Sequence, residues 1–536
     1  MTIRSILATS ALALLLVGCG SGGGGGFSKN AASTQAKVGI FRYPIPTTPT
    51  TLDPATVEDG DTIDVLQQVF EGLVAWDENN NVIPMLAEKW EISPDGTTYT
   101  FTLRKGAKFH NGKELDSGDV KWSIERAANP AIKSAVAGGY MGDIVGVKEV
   151  VDGKATEVSG ITTPDPLTVV IKIDKPRPYF LGKFTYLCSA VVPKDGVPAA
   201  ANIAKPAEMI GTGPFTVSEY IPDQVVKLKA FKDYHGGAPK VEGIERPIVK
   251  DGVTRLSMFR TGEVDLVALE RQDVAGIKAD PELKDQLKLY DRPSVYYVGL
   301  NLRKTKVFEN RKLRQAIAMA INKDQIVNEL MGGQNTVANG VIPPGVLGHR
   351  EKAAVHPYDV EGAKKMLADA GFPGGKGLPT IELWCRDGRP DVKLVTEAIS
   401  TQLDKNIGLK TKIVIKEWGA YLDARNNYEI PFCHMRWAAD YLDPENFVSF
   451  FFASYGAENR SGYANPAVDA LTSKADTMPL GEDRLKLYHQ AEDIALQDAV
   501  LIPIYFQRDA ELVSPRVSGQ RESIFGHLPH TTTAVK

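Results

Sequence analysis

The chain has 536 residues, too many for one hydrophobic core, so two or three subdomains are expected. Its 43% hydrophobic and 24% charged content are those of an ordinary soluble globular protein. A formal net charge of −4 gives no electrostatic basis for binding nucleic acid.

At the N-terminus, Arg4 precedes a short apolar run, Ile6 to Val17, that ends in small residues. The run is too short to span a bilayer and fits the apolar region of a signal peptide. Leu16-Val17-Gly18-Cys19 resembles a bacterial lipobox, in which Cys19 is acylated and becomes the new N-terminus after cleavage. Residues 1–18 are therefore expected to be a signal peptide, and 19–36 a lipidated cysteine with a flexible Gly-rich tether. A cleaved signal with an incidental cysteine is the plainer alternative. No later apolar run is long enough for a transmembrane helix, so membrane attachment would be through acyl chains only.

Strand patterns recur along the rest of the chain, at Val38–Tyr43, Thr98–Leu103, Leu167–Ile173, Val225–Ala230, Tyr296–Leu302, Thr380–Trp384, Lys412–Ile415 and Phe432–Trp437. Thr98–Leu103 is the clearest, with Tyr99, Phe101 and Leu103 on one face. The turn Pro94-Asp95-Gly96 precedes it, and Lys105-Gly106 and Asn111-Gly112 follow. Asp119 then opens an expected helix over Val120 to Arg126. Asn310 is a credible N-cap for Arg311–Ile321, and Asp359 for the helix carrying Ala363, Met366, Leu367 and Ala370. That second helix ends at Gly371 with Pro373 beyond. Pro390–Lys405 is a third helix, leading through Gly408 into a strand. Such alternation implies mixed α/β layers.

Beyond Cys19 only Cys188, Cys385 and Cys433 remain, so at most one disulfide can form. Cys385 and Cys433 sit in strand-like segments that could be sheet neighbours, and either pair or remain buried thiols. The sequence contains no GxSxG, HExxH, CxxC pair or Walker glycine loop, so enzyme and metal-centre signatures are missing. His527 and His530 flank a proline in the C-terminal tail without acidic or thiol partners in the pattern, and read as a solvated tail. His434 reads as a packed strand residue. No cofactor is expected.

The string from Ala87 to Arg126 closely resembles the signature of the peptide/nickel-type solute-binding proteins, family 5, the extracytoplasmic receptors of ABC importers. Further landmarks are Thr51-Leu52-Asp53-Pro54, Phe70-Glu71-Gly72-Leu73, Gly211-Thr212-Gly213-Pro214-Phe215 and Tyr296 to Asn301. Arg311 to Ile317, Ile342-Pro343-Pro344, Leu442 to Phe447 and Leu501 to Tyr505 complete the series, so the resemblance runs from about Val38 to Gly519. It implies an α/β, two-lobed periplasmic-binding-protein-like fold with a hinge and an extra small β-rich subdomain. Lobe I would comprise 37–75, 205–293 and 499–536, the inserted subdomain 76–204, and lobe II 294–498. Because the chain recrosses between lobes, ligand would be trapped by their closure.

The resemblance also implies a monomeric binding protein, not an enzyme, that hands short peptides to a membrane permease and its ATPase. Alternatives are another cargo (a nickel chelate, haem, an opine or an oligosaccharide) and a peptide-sensing surface lipoprotein using the same cleft. Arg436 to Asn446 is the expected ligand segment. Asp443 before Pro444 is explained as a helix N-cap. Asp440 lies at a strand exit, where open α/β lobes present groups to a cleft. Relatives with this Trp-x-x-Asp pattern hold the peptide α-ammonium there, and Trp437 would be an apolar wall or plain core. A ligand carboxylate is expected at Arg386 or Arg389, unless both are solvated turn residues. Tyr296, Tyr297 and Asn301 are expected to contact an extended ligand along the strand that enters lobe II.

Overall fold

Alternation between polar and apolar side chains commits Thr98–Leu103 to a strand whose Tyr99, Phe101 and Leu103 are buried. The computed structural model describes residues 39–536; the signal segment, Cys19 and the tether lie outside them. The Thr98–Leu103 strand is central in an antiparallel four-stranded sheet, ordered Ala87–Ile92, Thr98–Leu103, Thr168–Lys172, Ile161–Asp165. Helix Ser117–Ala128 covers it. That helix starts earlier than expected: Asp116 is the N-cap, and Asp119 closes a capping box by accepting from the Asp116 backbone N–H at 3.2 Å. Arg126, in the last turn of the helix, reaches out of this layer to Asp53, donating from Nη1 at 3.1 Å, with both side chains buried. Asp53 also accepts from the Ala55 and Ile203 amides, so the charge pair is fully hydrogen-bonded.

A second four-stranded sheet, ordered Ile40–Arg42, Gly243–Pro247, Val225–Ala230, Phe215–Ile221, forms the body of the first lobe. It shares one apolar core with the inserted layer. The third sheet has seven strands. Its main path is Leu266–Ala268, Leu501–Val513, Leu287–Leu300, Phe432–Ala438, Ile381–Arg386, Thr411–Lys416, and Thr336–Val337 pairs with Leu501–Val513. Separate apolar clusters pack on its two faces. Gly408, at φ +71°, ends helix Pro390–Ile407 with a left-handed turn that a side chain would strain.

The strand expected to begin at Tyr296 begins at Leu287. Residues 287–291 pair with 508–512 and residues 295–299 with 501–506, with the register broken between Asp291 and Val295. Pro293, lacking an N–H, falls within the break. Two long antiparallel strands thus run through both lobes. Residues 501–506 pair with residues 295–299 of the partner strand.

One further expectation is corrected, and one open alternative is decided. The C-terminal tail is not solvated around its histidines. Gln67 donates to the His527 carbonyl at 2.9 Å, and His530 is buried beside the Tyr43 hydroxyl at 2.8 Å. The three cysteines are free thiols. Trp384 stands opposite Cys433 in the register, so Cys385, the next residue, points to the other face of the sheet and cannot reach it.

Asp443 does cap a short helical turn, accepting from the Glu445 amide at 2.9 Å. It also takes both ends of the Arg484 guanidinium, at 2.7 and 2.8 Å, and the Arg484 side chain is 0% exposed. Asp443→Ala therefore leaves an uncompensated buried cation, and its cost is about 3–5 kcal/mol rather than the ~1 kcal/mol of a lost cap. Denaturant unfolding measures this directly, and a loss near the smaller figure would reduce Asp443 to a cap.

Candidate functional site

Strands Ile381–Arg386 and Phe432–Ala438 run parallel, so their C-terminal ends emerge together at the lobe interface. Arg386 and Arg389 follow the first; Arg436, Trp437 and Asp440 lie at the end of the second. The opposing surface comes from the first lobe and its insert. Helix Gly60–Leu66, capped by Asp59, presents Asp61 in its first turn, and helix Ala137–Met141 presents Tyr140.

The lobes are closed on one another. Arg389 Nη2 donates to both Asp61 oxygens at 2.9 and 3.0 Å, and Asn426 Nδ2 to Glu58 at 2.8 Å. The Tyr140 hydroxyl donates to Asp440 Oδ2. Tyr179 stacks on Tyr441 with centroids 5.8 Å apart, and a Cβ added to Gly182 would lie 2.9 Å from the Tyr441 Cβ.

Asp440 is buried. Its backbone N–H donates to Asn446 Oδ1 at 2.9 Å. Burial pushes its carboxyl up to about 7, against the Tyr140 hydroxyl and Arg436, which lower it. This carboxyl is therefore on the edge of ionising, and a cation placed beside it would complete the charge. Tyr140 itself stacks on Tyr186 at 4.0 Å. Trp437 is half-buried; its indole N–H donates to the Asn446 carbonyl at 3.0 Å and its ring packs on Phe450 and Phe451. Packing thus accounts for its N–H and part of its ring.

A few residues away the sign of charge reverses. Burial alone would raise the Asp61 carboxyl, but Arg389, Arg386 and Arg436 hold it well below the usual carboxylate range. Arg271, Arg436, Arg389 and Arg386 likewise lower the buried Tyr296 hydroxyl, which burial would raise. Arg271 pairs with Asp391, and Arg436 donates to Gln507 at 3.1 Å. Arg271 Nε also lacks a partner, but Arg386 is the least satisfied of the group. Its guanidinium lies 4.0 Å from the Trp418 ring, its Nη2 is 3.6 Å from Asp61, and its buried Nε and Nη2 lack hydrogen-bond partners. Burial and the adjacent Arg389 push it down to about 10. Buried donors without acceptors are costly, so this is where an anion would gain most.

The other expected residues separate. Tyr296 and Tyr297 are successive strand residues on opposite faces, 5% and 7% exposed. Tyr296 stacks on Tyr505 at 4.4 Å, beneath the arginines. Tyr297 faces Phe451 and lines a cavity of about 50 Å³ with Asn301, Arg425 and Arg460. Asn301 is not available to a ligand as expected. Its amide donates to the Tyr428 and Ile430 carbonyls and accepts from the Arg303 and Lys304 amides, which uses its hydrogen-bonding capacity in a turn. His434 is packed as expected, bonded to the Thr396 hydroxyl at 3.0 Å and pushed by burial down to about 4.

Asp61, Tyr140, Arg271 and Tyr505 were not legible as site residues. Arg436 carried a weak signal, since it directly precedes Trp437 in the segment singled out. Tyr140 carried none, because it reaches Asp440 from an inserted subdomain 300 residues away in sequence.

The family described as bacterial extracellular solute-binding proteins, family 5, matches residues 81–459. The chain belongs to this family. As a family 5 protein it is 31% identical to the heme-binding protein A of Haemophilus influenzae, over 98% of both chains. It is 30% identical to the dipeptide-binding protein of Escherichia coli, over 91% of this chain and 93% of that one. The murein tripeptide binding protein of Escherichia coli superposes with a TM-score of 0.86 at 24% identity, covering 93% of this chain and 99% of that one. Its unliganded open form superposes at 0.65, in keeping with the closed contacts seen here. The two-lobed α/β fold expected for a family 5 protein is the fold observed. Among the described residues no helix is long and apolar enough to cross a membrane.

The Asp440 environment gives ligand-free closure a pH dependence. In the open form a solvated carboxyl titrates near its ordinary 3.8, and in the closed form burial moves it to about 7. Closure therefore takes up a proton: it is favoured at low pH and penalised progressively as pH rises from 3.8 through about 7. Small-angle scattering of ligand-free protein should give a larger radius of gyration at about pH 8 than at about pH 5. Asp440→Asn should shrink that difference, and an undiminished difference in the variant would remove Asp440 as its source.

Proposed function

We propose that this chain is the cargo-capturing receptor of an ABC importer and takes short peptides between its lobes. The observation that carries the reading is the pairing of incompletely met charges at one interface, a carboxyl pushed up to about 7 at Asp440 and, at Arg386, a guanidinium whose Nε and Nη2 make no hydrogen bond and whose ion pair with Asp61 is long, at 3.6 Å. A free peptide is a zwitterion and offers both complements. Its α-ammonium replaces the Tyr140 hydroxyl at Asp440, and its carboxylate supplies the acceptors that Arg386 lacks. Arg389, already bonded to Asp61, acts as a lobe-to-lobe clamp. Relatives named for dipeptide and oligopeptide binding support the same cargo class. Trp437 and Tyr296 border the two charged ends, and delivery is to a separate permease and ATPase.

Asp440→Ala strands the ligand's cation in a closed cleft, at a cost of about 3–5 kcal/mol, or roughly two to four orders of magnitude in Kd. N-acetylation removes the same charge from the ligand side. Calorimetry should show the wild type strongly preferring free amino termini and the variant indifferent to acetylation. A cargo in the class of an acidic macrocycle is the second reading, favoured by the 31% identity to a protein named for haem. It would engage the arginine end alone. Equal binding of free and acetylated peptides by the wild type would select it.

Cys19 is the proposed lipid anchor, on the strength of the lipobox-like Leu16 to Cys19 and the Gly-rich tract behind it. Cys19→Ala should yield unlipidated protein that is released without detergent. Wild-type protein free of lipid and of membrane would end that reading.

A further inference from the structure

Behind the two crossing strands, the C-terminal tail folds into a small hairpin, Glu522–Ser523 against Gly526–His527. This hairpin places Glu522 and His527 against Glu511, which lies in the first-lobe half of Leu501–Val513. His527 Nε2 is 3.1 Å from Glu511 Oε2, and Nδ1 is 3.2 Å from Glu522 Oε1. The side chains of His527 and Glu511 are 8% exposed and that of Glu522 16%. Neither ring nitrogen makes a hydrogen bond of acceptable geometry, and Glu511 Oε2 and Glu522 Oε2 are equally without partners. The imidazole is thus held between two carboxylates at salt-bridge distance but in poor hydrogen-bond geometry, an arrangement with capacity left over. One ligand atom from each of the three residues lies within 4.8 Å of the others.

We propose that Glu511, Glu522 and His527 form a binding site for a divalent transition-metal ion of the zinc class, away from the lobe interface. One imidazole with two carboxylates is a donor set for such an ion, whereas calcium and magnesium take oxygen ligands alone. Without metal, two carboxylates and an imidazolium sum to −1. Binding a dication expels the imidazolium proton to solvent and brings the three side chains and metal to zero. That balance suits a buried site better than the metal-free charge does. The carboxylates of Glu511 and Glu522 flank the imidazole on both sides, at 3.1 and 3.2 Å, so the pocket is built for a cation. Arg292 and Tyr290 stand beside the carboxylates, and Arg292 is held at 2.9 Å by Asp509, which limits its competition for them. His530 is excluded as a ligand, because its nitrogens serve Tyr43 and Thr533. The metal would tie the terminal hairpin to the crossing strand on which the hinge depends.

The sequence reading set His527 aside because no acidic partner stood near it. Glu511 and Glu522 reach it only through the tail's return.

The test is calorimetric titration of Zn²⁺ into the chelator-stripped full chain, in two buffers of different ionisation enthalpy. One equivalent should bind, with about one proton released and affinity rising with pH. His527→Gln and Glu511→Gln should each weaken binding by more than the roughly 100-fold that loss of an outer-shell partner costs. Zinc-edge X-ray absorption of the wild-type complex, which needs no variant to fold, should show a single imidazole among oxygen ligands. Absence of stoichiometric binding, thiolate or imidazole-free coordination, or full binding by His527→Gln would each overturn the site.

Discussion

Two antiparallel strands, Leu287–Leu300 and Leu501–Val513, are the constraint on which everything else depends. Each is hydrogen-bonded to the other at both ends and interrupted in the middle, where Pro293 withdraws a donor and the register slips. A ladder paired on either side of a break, with a second slip between Tyr296 and Tyr297, resists separation of the lobes and concentrates bending in a few residues. The break thus permits rotation about one place, and the faces that meet when the lobes close are set by it.

Those faces carry charges that do not balance within either lobe. Asp61 belongs to the first lobe, while the arginines that lower its carboxyl come mostly from the second. Asp440 belongs to the second and accepts from a tyrosine hydroxyl of the insert, with Arg436 acting on it from its own lobe. Desolvating a charge costs several kcal/mol unless a partner meets it, so an interface built this way distinguishes occupied from empty closure by electrostatics. The Arg389–Asp61 contact offsets part of that cost without ligand. The Arg386 N–H groups without hydrogen-bond partners and the Asp440 carboxyl, which burial pushes up, are the part that remains.

Away from the interface the same physics is used differently. Arg126 with Asp53, and Arg484 with Asp443, are buried pairs whose hydrogen-bonding groups are met within their own neighbourhood. They fix loops and short helices and leave nothing for a ligand. Satisfaction of hydrogen bonds thus sets these two pairs apart from Arg386 and Asp440. Asn301 falls on the structural side by the same test, although its place on the entry strand suggested otherwise.

The sequence by itself determined what is local. Alternation gave the Thr98–Leu103 strand, asparagine and aspartate caps gave the starts of Arg311–Met319 and Val360–Asp369, and Gly408 ended the long helix before its strand. The ordered landmarks carried the family and its two-lobed fold, because they recur in fixed succession over nearly the whole chain. Asp440 and the choice between Arg386 and Arg389 were reachable as positions at strand ends. Tertiary structure alone decided which of them lacks a partner, because Asp61 and Tyr140 approach from segments hundreds of residues away. It also decided that Tyr296 and Tyr297 part to opposite faces, that Cys385 and Cys433 stay apart, and that a tail read as solvated buries its histidines. Each of these depends on register or on chain return, and neither is encoded in the spacing of neighbouring residues.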